Sequence, residues 1–159
     1  MHVESDIQDH LLEPWLASDK NLDSLVTRFL DATLSAHEWT HRAHLGVACA
    51  LVMAKGTEAT VGCFREVIPR LHSSWVGSRE PGRGYHETLT IFWIHRIARV
   101  LSRLPRRWSR LDRVVAIVEA YGDVRRLDRA VYVGYIVASE EKRVGWVAPD
   151  PADSGWPMR

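Results

Sequence analysis

Apolar residues recur along this chain at intervals of three and four, the period of helices that bury one face. Leu22, Leu25, Val26, Phe29, Leu30 and Thr33 make the first such stripe, and the pattern breaks at Leu34 and Ser35. The segment Ser35-Ala36-His37-Glu38 has the form of a capping box, which predicts a second helix starting near Ala36. That helix is expected to run to Lys55 and to end at Gly56. Thr57 can cap a third helix, striped by Val61, Phe64, Val67, Ile68 and Leu71, with Pro69 expected to kink or end it.

Residues 73–84, SSWVGSREPGRG, are dense in helix breakers and read as a loop. A fourth helix is predicted from Tyr85 to Leu104, with Leu89, Trp93, Ile97, Val100, Leu101 and Leu104 on its core face. Ser109 and Asp112 form the cap of a fifth, which carries Leu111, Val114, Val115, Val118 and Tyr121 and closes at Gly122. The run VYVGYIVA at 131–138 fits a strand or a buried helix equally, and 139–146 suits one further short helix. The pattern as a whole predicts an all-α fold, a compact bundle of five or six helices in a single domain. The domain is expected to span 21–150, between a loose N-terminal arm at 1–20 and a flexible tail at 151–159.

Composition narrows the class. At 159 residues, 46% apolar and 26% charged, the chain suits one globular core. A net charge of +1 argues against a general polyanion binder. Cys49 and Cys63 lack a flanking CxxC and read as reduced thiols. With a polar, acidic N-terminus and no long apolar run, the expectation is a cytoplasmic protein without membrane contact.

The candidate chemistry lies in the histidines. On a helix spanning 36–55, successive residues turn by about 100°, so His37, His41 and His44 stack on the side that carries Leu45, Ala48, Leu51 and Val52. Arg42, Ala43 and Gly46 then point elsewhere. On the fourth helix His86 falls at the centre of the core face, with Glu87 at its edge and Thr90 one turn on. Buried imidazoles are costly unless each nitrogen finds a partner, and a shared cation satisfies several at once. The expected ligands of a divalent transition metal are therefore His41, His44 and His86. Glu38, Glu87 and Tyr85 are the candidate catalytic groups. This nitrogen and oxygen donor set does not distinguish zinc, iron, copper or nickel. The competing structural reading has His41 and His86 as isolated core histidines bonded to backbone carbonyls, with His44 and His37 at the rim. His95 projects away from His86 and is expected to be solvated, while His72 is assigned to neither side.

His37-Glu38-Trp39-Thr40-His41 also matches the zinc-protease pattern HExxH. No strand edge accompanies it to align a peptide, and no glycine-turn-His continuation follows, so proteolysis is not the favoured reaction.

The blocks EWTHRAHLGVA at 38–48, GYHETLTIFW at 84–93 and GWVAPD at 145–150 resemble those of a family of small bacterial proteins. Its members carry EWTHxAHL, GYHETxTxxW and WxxPD in the same order. The likeness spans roughly 22–150 and implies no particular reaction. It does group Glu38, Trp39, His41, His44, Tyr85, His86, Glu87, Thr88 and Trp93 as one set. His37 stands outside the family's block, which weakens the HExxH reading. This chain also departs at 73–84, where an Asn-, Thr- and Pro-rich segment is expected and Arg79 and Arg83 stand instead.

The same loop runs into Tyr85 and is a candidate lid, so Trp75, Arg79 and Arg83 join Trp39, Thr90 and Trp93 as substrate-binding candidates. Arg96, Arg99, Arg103, Arg106, Arg107, Arg110 and Arg113 form a basic stretch. With few interleaved aromatics it reads as a solvated helix face rather than a nucleic-acid surface. The sequence thus points to a metal-dependent enzyme acting on a small-molecule substrate, by hydrolytic, lyase, isomerase or oxidative chemistry. The alternatives are a metal-independent His/Glu acid–base enzyme and a non-enzymatic metal- or ligand-binding module, and self-association as a homo-oligomer stays open.

Overall fold

The structure, a computed structural model, describes residues 13–75 and 87–122. Among these it contains five α-helices and no strand: α1 (Asp19–Leu30), α2 (His41–Lys55), α3 (Thr57–Ser74), α4 (Glu87–Leu101) and α5 (Arg110–Tyr121). A short 3-10 turn, Pro14–Leu16, precedes α1. The fold is an all-α helical bundle. No described helix is long and apolar enough to cross a membrane.

The bundle is organised around α2. Ala43, Leu45, Gly46, Val47, Ala48, Cys49, Ala50 and Leu51 are all buried, so this helix has no solvent-facing side along most of its length. It packs against each of the other four helices. Its small side chains allow this, because they let neighbouring backbones approach closely from several directions. A helix apolar all round belongs at the centre of a core. The expectation that Ala43 and Gly46 point away from the interior is corrected accordingly. Gly46 faces the ring of Trp15, which occupies the space a Cβ would need. Trp15 is thereby seated against α2, and its indole N–H donates to Glu13 Oε2 at 3.2 Å.

Helix α1 begins earlier than the stripe suggested, with Ser18 Oγ capping the Asn21 N–H. It buries Leu22, Leu25 and Phe29. The start of α2 also differs. The Ser35–Glu38 box forms both of its bonds, Ser35 N–H to Glu38 Oε2 at 2.8 Å and Glu38 N–H to Ser35 Oγ at 3.3 Å. It closes only an isolated turn. Thr40 is the true cap, its Oγ1 accepting from the Ala43 N–H, and the helix starts at His41. Its end at Gly56, where φ is +86°, is as expected.

Helix α3 buries Val61, Phe64, Val67, Ile68 and Leu71, and it is the residue before Thr57, Gly56, that occupies the cap position. It also runs through Pro69 to Ser74. Proline there removes one backbone donor, yet packing on both sides of it outweighs that loss. Helix α4 buries Phe92, Ile94, Ile97 and Leu101, while Leu89, Trp93 and Val100 are only half-buried. Helix α5 follows its forecast closely: the Ser109–Asp112 capping box is complete, Val114, Ile117 and Val118 are buried, and Gly122 is the C-cap. Two arginines of the basic stretch are bonded within the chain. Arg110 pairs with Asp19 at 3.2 Å and Asp23 at 2.7 Å on α1. Arg113 donates to the carbonyls of Pro105, Arg106 and Trp108.

The predicted arm up to residue 12, the loop at 76–84 with its Arg79 and Arg83, Tyr85, His86, the ambiguous run at 131–138, the short helix at 139–146 and the tail at 151–159 lie outside the described residues.

Candidate functional site

The residues gathered around the start of α2 come from every helix of the bundle. Trp39 immediately precedes the Thr40 cap and is buried, only 7% exposed. Its indole stacks on Phe29 of α1 at 4.8 Å between ring centroids and 20° between planes. Phe64 of α3 lies 6.2 Å away, and the imidazole of His44 sits 3.8 Å from the indole on α2. Trp39 therefore wedges the α1–α2 connection into the core and lays one wall against His44.

The two histidines of α2 do not share one environment. His41, in the first turn, reaches α4 and α5. Its ring meets Trp93 edge-on at 5.1 Å, and Nε2 lies 3.0 Å from the Tyr121 carbonyl oxygen. A carbonyl only accepts, so Nε2–H donates and the neutral ring keeps its lone pair on Nδ1. Tyr121 is the last residue of α5, where carbonyls have no helical donor and carry the negative end of the helix dipole. Burial pushes the His41 pKa below its ordinary value, with the Tyr121 hydrogen bond opposing it.

His44, one turn on, lies against Trp39. Burial, reinforced by the charges that His41 and His72 would carry, pushes its pKa down to about 3. The imidazole is neutral at any ordinary pH. Among the described residues, two buried side-chain nitrogens have no hydrogen-bond partner: His44 Nε2 and Trp39 Nε1. Each such omission costs on the order of 1–3 kcal/mol, and the two lie on adjacent rings.

Neither nearby carboxylate is a free base. Glu38 makes a two-pronged pair with Arg28 of α1, Oε1 to Nη1 at 2.6 Å and Oε2 to Nη2 at 2.7 Å. Arg28 and the Ser35 N–H hold its pKa down to about 2. Glu87 is buried at the first residue of α4, its two oxygens accepting from Arg65 Nε of α3 at 3.1 and 3.2 Å, with Arg65 Nη2 also on Oε1. Glu38 ties the α1–α2 connection to α1, and Glu87 ties α4 to α3.

The remaining candidates divide. Trp93 touches His41, and Thr90 is half-buried on α4. Trp75 has a structural bond, its indole N–H donating to the Leu34 carbonyl at 2.8 Å, and it packs on His72 at 4.9 Å. His37 is exposed in the turn before α2, so His37 and His41 do not stack on a helix as an HExxH site requires. His95 is half-buried rather than solvated. His72, half-buried in the last turn of α3, is the histidine whose place near His44 the spacing did not reveal. Its stripe was legible, but not which neighbouring helix it met. Among the described residues no three His, Cys, Asp or Glu side chains gather closely enough to hold an ion. His86, the third ligand expected from sequence, lies outside them.

Fold and site together define an all-helical bundle with a half-buried, neutral imidazole packed against an indole. Comparison with models of known families, with curated proteins and with solved structures gives no match.

Proposed function

We propose that this protein is a metal-dependent enzyme acting on a small molecule, with a divalent transition metal held by His41, His44 and His86. One observation carries the reading: the ring nitrogen Nε2 of His44 is buried and unpartnered on an imidazole that stays neutral. A neutral imidazole with a buried, unused ring nitrogen is the state of a metal ligand before its ion arrives. His41 supports it as a second ligand. Its Nε2–H is engaged by a backbone carbonyl, the arrangement that fixes ring orientation in histidine metal sites, and this leaves Nδ1 for the ion. The third ligand, His86, follows from its block in the sequence.

The two carboxylates take a supporting part, since Arg28 and Arg65 hold them. Neither is assigned as the base. When bound, the ion supplies Lewis acidity and a more acidic water for hydrolytic, lyase or isomerase chemistry, or a redox centre if it is iron or copper. Acid–base catalysis by the histidines without metal is less well supported, because an imidazole with a pKa of about 3 is a feeble base at neutral pH.

The test is metal content of protein purified without an affinity tag. The expected result is stoichiometric zinc, iron, copper or nickel that is lost in His44→Phe and in His86→Ala. Absence of bound metal in the unmodified protein, or full retention in both variants, overturns the proposal.

A further inference from the structure

Three indole N–H groups of this protein can be compared directly. Those of Trp15 and Trp75 are consumed by the fold, one by Glu13 and the other by the Leu34 carbonyl. That of Trp39 is buried as deeply as any core atom and donates to nothing. Indole nitrogen is a donor only, so what it lacks is an acceptor. The ring that carries it is held from two sides, by Phe29 and by Phe64, and has no freedom to swing toward a protein carbonyl without breaking the stack. On the ring packed against it, 3.8 Å away, His44 Nε2 is the other unpartnered nitrogen. One unpartnered indole N–H and one unpartnered imidazole nitrogen on touching rings form a matched pair for a ligand. In the tautomer protonated at Nδ1, the imidazole nitrogen suits a cation, and the indole N–H suits an oxygen attached to it.

We infer that Trp39 is a substrate-binding donor whose indole N–H takes a carbonyl or carboxylate oxygen of the small molecule bound at the His44 centre. This rests on the metal-site reading and specifies its substrate class. The surroundings fit such a group. Phe29 and Phe64 give an apolar wall that accepts no charge of its own, and the nearest arginine of α1, Arg28, is committed to Glu38. An oxygen ligand there has its charge offset by the ion and its remaining lone pair met by the indole.

The experiment uses untagged protein loaded with cobalt(II), and acetate as the probe. Acetate binding is followed by the visible absorption of cobalt in wild type and in Trp39→Phe, which keeps an aromatic ring in the stack and removes only the donor. The indole proton of Trp39 is followed by NMR in the wild type with zinc in place of cobalt. The expected result is acetate binding weakened about tenfold in the variant, the worth of one hydrogen bond, with cobalt still bound and with the wild-type indole proton shifting downfield on acetate addition. If cobalt binds but the indole proton does not move, the inference fails and the metal site stands. Equal acetate affinity in the two proteins has the same consequence. If wild type takes up no cobalt, both readings fall.

Discussion

Replacing His44 with phenylalanine is expected to make the metal-free protein more stable while removing its metal. The ring is half-buried against Trp39, and its Nε2 is buried with no partner among the described residues. Phenylalanine keeps a ring of nearly the same size on the indole and removes the unsatisfied nitrogen. Relief of that penalty stabilises by about 1–2 kcal/mol at neutral pH. Acid then separates the two proteins further. His44 resists protonation in the folded state, with a pKa of about 3 against an ordinary 6.5. The unfolded chain therefore binds a proton that the folded chain refuses. Its contribution is intact above about pH 6.5 and is lost as pH falls toward about 3, at roughly 1.4 kcal/mol per unit. At pH 5 wild type has lost about 2 kcal/mol that the variant does not lose, which widens the gap to about 3–4 kcal/mol. Urea unfolding of chelator-treated protein at pH 7.5 and pH 5 measures both numbers, and groups common to the two proteins cancel in the difference. A variant less stable than wild type at both values, or a gap that does not grow on acidification, refutes the reasoning. His44 would then be a satisfied core histidine.

Three further outcomes follow from particular contacts. Gly46→Ala places a Cβ where the ring of Trp15 lies, so it should cost about 1–3 kcal/mol and release Trp15, read as a red shift in tryptophan emission alongside urea unfolding; unchanged emission and stability would count against the docked turn. Ser109→Ala removes the cap of α5 and should lower stability by about 1 kcal/mol, measured by thermal unfolding, with no effect on metal content. Glu38→Gln should cost less than about 1 kcal/mol at neutral pH, because the pair with Arg28 is well exposed and screened by solvent. The stability Glu38 provides is present above about pH 4.5 and disappears as pH falls toward 2, so the difference from wild type should close in acid. Metal content of this variant should equal that of wild type, and a loss of metal would restore Glu38 to the site.

The sequence-based expectations succeed where one local rule acts alone. Helix α5 is legible from end to end because its cap, its stripe and its terminal glycine agree and nothing competes with them. The start of α2 fails because two capping signals stand five residues apart. Ser35 makes its box and closes one turn, but burying Trp39 between Phe29 and Phe64 requires extended chain next to it, so Thr40 takes the helix. Pro69 was overestimated for a related reason: Val67, Ile68 and Leu71 are buried on either side of it, and their packing keeps α3 continuous. In each case tertiary burial outweighs a local preference worth only a few kcal/mol.

The same physics separates what was visible of the site from what was not. Projection onto a single inward face assumes a helix with an outside, and α2 has almost none. His41 and His44, three residues apart, therefore both turn inward but meet different parts of the fold, one Trp93 and Tyr121 on α4 and α5 and the other Trp39 in the α1–α2 connection. The acids flanking the histidines were equally plain in the sequence, whereas their partners were not. Arg28 and Arg65 come from other helices, and no local spacing links them to Glu38 or Glu87. Both carboxylates are paired with arginine, and burial holds the His44 imidazole neutral. A carboxylate free to pair with that imidazole would have raised its pKa and filled its lone pair with a proton. The acids that spacing suggested as bases are instead held by Arg28 and Arg65.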